Sequence, residues 1–283
     1  MLRHRLIIAG VGVPLLIFLC MLNNPVYIVV LFTLFGMIGL WEFYVLLRKN
    51  KIFIYVYILG AFTLFLGLLP VFTGLRADLP LFLTASSIGV FIILCAGLFL
   101  YPPTDQKTGK PSMKGMLDTV FSVYVFIFFC VLYTLMIQLR AWDDHGGRYL
   151  LLVFFSVMAG DSGAYFAGRY LGRHLLMPKI SPKKTWEGVL GNFCGNIIGI
   201  TLYYIFIYRG FSYTHLLMIS LLLGFIAIFS DLFVSYIKRS TGVKDSGVVF
   251  PGHGGVLDRT DSLLFTNLAV LIIVHYMQYS GIL

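Results

Sequence analysis

Charge is what this sequence has least of. Only 12% of its residues are Asp, Glu, Lys or Arg, about half the roughly 25% of a soluble globular domain. Acidic residues are scarcer still, 12 against 21 basic ones, for a formal net charge of +9. Long polar stretches are missing as well, which excludes a separate water-soluble domain. Cysteine is sparse: Cys20, Cys95, Cys130 and Cys194 stand singly in apolar stretches. With no CxxC pair they exclude a thiolate metal site and read as small buried apolar side chains. There is no GxxxxGK[ST] loop, no HExxH, no GxSxG and no evident nucleophile–base pair. P-loop nucleotide hydrolysis, zincin-type proteolysis and α/β-hydrolase chemistry are thereby set aside.

What is present is apolar residue in membrane-length runs. Hydrophobic residues make up 59% of the chain and the mean hydropathy is +0.91. A spanning helix needs roughly 20 mainly apolar residues. Nine candidates follow: residues 6–22, 25–47, 53–72, 80–101, 116–139, 149–171, 185–208, 214–237 and 262–282. Lipid cannot satisfy backbone polar groups and the alternating pattern of a barrel is absent, so an all-α polytopic integral membrane protein is expected. The N-terminus, MLRHRLIIAGVGVPLLIFLCML, has the basic-then-apolar order of a signal peptide. Its apolar run is longer than the usual h-region of about 7–15 residues, and it reads as a retained first span.

The basic residues fall unevenly. Sixteen of the 21 Lys and Arg lie at the N-terminus and in the loops after spans two, four, six and eight, and four lie in the odd-numbered loops. The positive-inside rule then places the N-terminus in the cytoplasm and the C-terminus outside. The loops after spans six and eight share the cytoplasmic face. Because the positive charge sits in short loops, it points to orientation, anionic lipid or phosphate ligands, and no nucleic-acid partner is expected. A bacterial cytoplasmic membrane is the expected location.

The chain divides chemically near residue 150. Residues 1–150, spans one to five, read as scaffold and a candidate dimer interface. They carry Glu42, beside Trp41, and Asp118, both given structural or interfacial roles. Residues 151–283 read as the catalytic region. Span six carries Asp161 among small residues, followed by Arg169 on a similar helical face. Next comes PKISPKKTWEG, in which Lys183 and Lys184 precede a helix start with Ser181 and Thr185 as candidate caps. Span eight carries Asp231, Ser235 and Lys238 at spacings of four and three, on one helical face.

Residues 235–261 read SYIKRSTGVKDSGVVFPGHGGVLDRTD, a dense mixed-sign loop between membrane spans. It contains Lys238, Arg239, Lys244, Asp245, His253, Asp258, Arg259 and Asp261. Asp258 and Asp261 are three apart and share a face if the next helix begins there. With Asp231 they make an oxygen-rich pocket suited to Mg²⁺, which bridges carboxylates to phosphates. The basic residues would meet the remaining phosphate charge. The glycines around His253 would let backbone approach a ligand, and the histidine would donate to phosphate. A phosphate monoester is itself an oxygen nucleophile, so neutralisation and alignment are the protein's main tasks.

The order S-x-I-K-R, then K-D-x-G-x-x-F-P-G-H-G-G-V-x-D-R-T-D, resembles the C-terminal motif of the phosphatidate cytidylyltransferases, or CDP-diacylglycerol synthases. The D-S-G-A-Y, G-R-x-x-G and S-P-K-K-T-W-E-G segments resemble that family too, so the likeness covers residues 159–262. It implies a multi-pass membrane enzyme, often dimeric, using CTP, phosphatidate and divalent metal and releasing pyrophosphate. By position it implies Asp231, Asp258 and Asp261 as Mg²⁺ ligands, with K⁺ admissible as a second cation. It implies Lys238 and Arg239 as catalytic residues. It assigns Asp161, Lys183, Lys184, Ser235, Lys244, Asp245, His253 and Arg259 to substrate contacts. Two alternatives stand beside it: CMP transfer to another lipid phosphate, and a cation-coupled transporter using Asp161 and Asp231 within spans. The transporter would have no need of the 235–261 loop.

Overall fold

The computed structural model describes residues 2–100, 113–247 and 254–282. Among these the chain is helical apart from one small hairpin. Its elements are α1 (Leu2–Met21), α2 (Val26–Arg48), α3 (Val56–Phe72), α4 (Leu79–Leu100), α5 (Lys114–Val125), α6 (Leu132–Arg140), α7 (Gly146–Tyr170), β1 (Leu175–Met177), β2 (Ser181–Thr185), α8 (Trp186–Phe206), α9 (Tyr213–Ser240), α10 (Leu257–Thr260) and α11 (Leu263–Tyr279). A π-helical segment, Phe126–Val131, joins α5 to α6. Six helices are long and apolar enough to cross a membrane, the 114–140 helix counted as one. Shorter apolar helices occupy residues 12–21, 56–72 and 263–279. The polytopic all-helical expectation is therefore met in outline. The hairpin is an addition: β1 and β2 pair antiparallel, with Leu175 opposite Thr185 and Met177 opposite Ser181. Sequence periodicity over such short strands is too weak to announce them.

Two compact units emerge, and they interleave along the chain. One comprises residues 24–143 and 245–258; the other comprises 1–23, 144–244 and 259–283.

In the first unit, α2 packs on α3 and α6. Its buried face, including Phe43, Leu46 and Leu47, meets an aromatic cluster from the π-helical segment. Phe43 and Phe129 have ring centroids 5.9 Å apart, and Phe129 and Tyr133 lie at 5.4 Å. Gly36 lets the Tyr133 ring approach to 3.0 Å from where a Cβ would stand. Asp118 serves as a clasp: its Oδ1 accepts from Phe53 N–H at 3.0 Å. Ser122 accepts from Tyr55 N–H at 3.1 Å, and the Tyr55 and Thr119 hydroxyls lie 2.6 Å apart. The expected structural role of Asp118 is what its contacts describe.

The second unit is organised around the pair α7 and α8. Small residues line their crossing: Gly160, Gly163, Ala164, Ala167 and Gly168 on one helix, and Gly188, Gly191, Gly195 and Gly199 on the other. A Cβ at Gly163 would strike the Gly191 carbonyl, and one at Gly195 would strike the Ala159 carbonyl. In lipid, where hydrophobicity does not drive helices together, this close backbone approach supplies packing energy. Polar groups secure the same seam. Ser156 donates to Asn196 Oδ1, and Asn196 Nδ2 donates to Asn192 Oδ1 at 3.1 Å. α9 packs on α8, and α11 packs on α9 and α7. With 28 residues, α9 is about 42 Å long. That exceeds the roughly 30 Å hydrocarbon thickness, so its last turns, with Lys238 and Arg239, suit the polar boundary.

Candidate functional site

The α7–α8 seam leaves a cavity of about 230 Å³ at its hairpin end. Asp161, Tyr165 and Gly168 of α7 line it, with Lys183, Lys184 and Thr185 of β2, Asn192 of α8 and Asp231 of α9. Each wall has a local cause. Thr185, in extended conformation, caps α8 by accepting from Gly188 N–H at 3.1 Å. That cap ends the strand and starts the helix, placing Lys183 and Lys184 at the mouth. Of the two candidate caps, Thr185 takes the role and Ser181 lies in β2. On the far side of the hairpin, Glu187 accepts from His174 Nδ1 at 2.7 Å and holds the α8 start against the residue preceding β1.

The electrostatic centre is a contact between hairpin and span. Lys184 Nζ lies 2.6 Å from Asp231 Oδ2, with the two side chains 26% and 27% exposed. Ser235 donates to Asp231 Oδ1 at 3.2 Å, as the four-residue spacing requires. Two turns along α9, buried Lys238 faces Asp261 Oδ2 at 3.8 Å. Ser230 donates to the Asp261 carbonyl, tying the approach to α11 onto α9. Burial first, and then the charge of Asp231, push the Asp261 carboxyl well above the ordinary carboxylate range, while Lys238 pulls it back. Asp161 lies within electrostatic reach of Asp231, Lys184 and Arg259.

Three carboxylates, Asp161, Asp231 and Asp261, thus share one field with lysines between them. Among the described residues no three potential ligands converge as a ready-made metal cage. A hard divalent cation does not need one: Mg²⁺ is commonly held by one or two carboxylates plus substrate phosphates. The donor set here, carboxylate oxygens in a partly buried field beside lysines, fits that mode of binding.

The remaining expected residues have varied positions. Arg239 is exposed and braces the hairpin: its Nε donates to the Ile180 carbonyl at 3.1 Å and its Nη1 to the Val243 carbonyl at 3.2 Å. Lys244, Asp245 and Arg259 are exposed. His253 lies outside the described residues. In its own unit, Asp258 accepts through Oδ2 from Ser246 N–H and Gly255 N–H, both at 2.9 Å. Arg169, placed by sequence on a face similar to Asp161's, donates to the Tyr165 hydroxyl at 2.5 Å and lies near the Tyr170 ring. Asn192, Asn196 and Tyr165 were missed. The signal was there for the asparagines, which are two amides four residues apart inside an apolar span.

The chain is similar to known proteins over most of its length. Residues 3–277 match the model of a family described as "Cytidylyltransferase family". A protein of Haemophilus influenzae named phosphatidate cytidylyltransferase is 33% identical over 282 residues, covering 93% of this chain and 95% of its own. One of Bacillus subtilis with the same name is 30% identical over 264 residues, covering 93% and 94%. One of Staphylococcus aureus reaches 43% identity over 123 residues, 43% of this chain and 47% of its own.

Proposed function

We propose, because this chain belongs to the cytidylyltransferase family, that it transfers the CMP group of CTP to phosphatidate. A phosphate oxygen of phosphatidate attacks the α-phosphorus of CTP. The new P–O–P bond forms as the bond from α-phosphorus to the β-phosphate oxygen breaks, giving CDP-diacylglycerol and pyrophosphate. The observation that carries this reading is the Lys184–Asp231 contact in the wall of a cavity bounded by membrane-length helices. A paired cation and carboxylate beside further lysines is a site for anionic oxygens, and both substrates present phosphates.

The work assigned to the chain is binding and alignment. Lys183 and Lys184 neutralise phosphate charge at the hairpin, and Lys238 does so from α9. Asp231, Asp258 and Asp261 are the carboxylates for Mg²⁺, with K⁺ as a second cation. Bound there, the metal supplies charge neutralisation for the transferring phosphoryl group. Fixing the Asp258 carboxyl by two backbone donors is the kind of support that orients a metal ligand. Ser235 orients Asp231. Asp161 lines the cavity on the substrate side, while Lys244, Asp245, His253, Arg259 and Arg239 approach nucleotide or phosphate. A cavity of about 230 Å³ is below the roughly 300–1,000 Å³ of whole-ligand pockets. It is therefore assigned to the phosphates, with the acyl chains in lipid and the nucleoside towards the cytoplasm.

The remaining parts of this reading are nine spans, a cytoplasmic N-terminus, an outward C-terminus, a bacterial cytoplasmic membrane and a homodimer without nucleic acid. Residues 1–150 act as scaffold and 151–283 as the catalytic region. The deciding experiment is pyrophosphate release by purified protein on adding phosphatidate, CTP and Mg²⁺. Release must require all three. Equal release with an isoprenoid-linked phosphate in place of phosphatidate would assign the chain a different lipid acceptor.

A further inference from the structure

Glu42 takes no part in the transfer as described, yet it is a buried carboxylate in a helix long and apolar enough to cross a membrane. Such a group is costly to keep there and calls for a reason. Its partners lie more than 200 residues further along the chain. Val256 N–H donates to Oε1 at 3.0 Å, Leu257 N–H donates to Oε2 at 3.0 Å, and the Ser246 hydroxyl donates to Oε2 at 3.0 Å. Gly247 and Gly255 lie so close that a Cβ at either would collide with the carboxyl group. The polypeptide at 246–247 and 255–257 is therefore wrapped around this one side chain. Asp258 ties the same two segments together through Ser246 N–H and Gly255 N–H. Ser246 thus gives its hydroxyl to one carboxylate and its amide to the other.

Both Glu42 oxygens accept from backbone N–H groups. A glutamine in the same place would turn its NH₂ against one of those donors and leave a buried N–H without an acceptor. The two glycines also acquire a reason of their own: in the described residues, close approach at Gly247 and Gly255 serves a protein carboxylate.

We infer that Glu42 is a positioning residue for the transfer reaction: it holds residues 246–247 and 255–257 in one conformation and so fixes the direction in which the Asp258 carboxyl is presented. The inference rests on the function proposed above for its effect on turnover, and on contacts alone for its effect on the loop.

The test is Glu42→Gln in the full-length protein. Pyrophosphate release from CTP and phosphatidate is read beside hydrogen exchange of backbone amides. Exchange at residues 255–257 is expected to rise about tenfold or more while that of α7, α8 and α9 stays at the wild-type rate. The kcat is expected to fall about 10- to 100-fold, the range seen when a supporting partner of a site is removed, with the KM for phosphatidate unchanged. A kcat at the wild-type value overturns the inference. So does an exchange increase spread equally over α7, α8 and α9, which would make Glu42 a general determinant of folding. If Glu42→Gln yields no monodisperse protein, Ser246→Ala decides. It keeps both backbone donors and should lower kcat about threefold to tenfold, as loss of one hydrogen bond predicts; wild-type kcat in that variant overturns the inference. Absence of turnover in the wild-type protein would remove the proposed function alone, since the exchange measurement still decides whether Glu42 holds the loop.

Discussion

Adding one methyl group at Gly195 is a direct test of how α7 and α8 set the site. A Cβ there strikes the Ala159 carbonyl and stands 3.3 Å from Gly160 Cα. Both are backbone atoms, so no rotamer change clears the space. Restoring ordinary contact requires the helices to part by about 1 Å. Forced overpacking of this kind costs about 1–3 kcal/mol, and alanine regains about 1 kcal/mol through helix propensity. The net loss of stability is then modest, about 0–2 kcal/mol. Turnover has no such offset. Asp161 follows Gly160 directly on α7, and Lys183, Lys184 and Thr185 lead into α8, so the displacement passes into the cavity. A misplacement of about 1 Å at a reacting centre can cost about 100-fold. Gly195→Ala should therefore lower CTP-dependent pyrophosphate release far more than it lowers the thermal midpoint in detergent. Gly12→Ala is the matched control, since a Cβ at Gly12 meets nothing within 4 Å. Wild-type turnover in Gly195→Ala, or an equal loss in Gly12→Ala, would refute the reasoning.

Two other substitutions separate charge from scaffold. Lys184→Met removes the ammonium 2.6 Å from Asp231 Oδ2 while keeping most of the side-chain volume. Losing one charged hydrogen bond of about 1.5–3 kcal/mol should reduce kcat/KM for CTP about 10- to 100-fold, as measured by steady-state pyrophosphate release. Asp258→Asn can retain its carbonyl oxygen on Ser246 N–H and Gly255 N–H, so the loop should persist while the negative charge is lost. It should insert into membranes normally and form no CDP-diacylglycerol from labelled CTP, and normal turnover would remove Asp258 from the metal site.

Composition made much of the architecture legible. A chain so poor in charge has to bury its backbone polar groups in helices if it lies in lipid, and the apolar runs mark where. Local spacing was also a sound guide within single elements. The i, i+4 relation brought Ser235 to Asp231, and Thr185 caps α8 as an extended Thr before a helix should. Spacing ran true along α7 as well: Tyr165, four residues from both Asp161 and Arg169, accepts from the Arg169 guanidinium and lies beneath it. The hairpin was illegible because residues 175–185 contain too few alternations to separate a strand from a loop.

The sequence by itself determined the class of molecule, the family and the residues that bear charge, because hydropathy and a long fixed motif are properties of the chain read in order. Tertiary structure alone decided which charges meet. Lys184 reaches Asp231, 47 positions further along the chain, only because glycines let α7 and α8 close and α9 lies against α8. Glu42, given a structural or interfacial role when read in sequence, became the centre of a loop more than 200 residues away. A carboxylate's partners are set by distance in space, and no period along the chain encodes a contact of that separation.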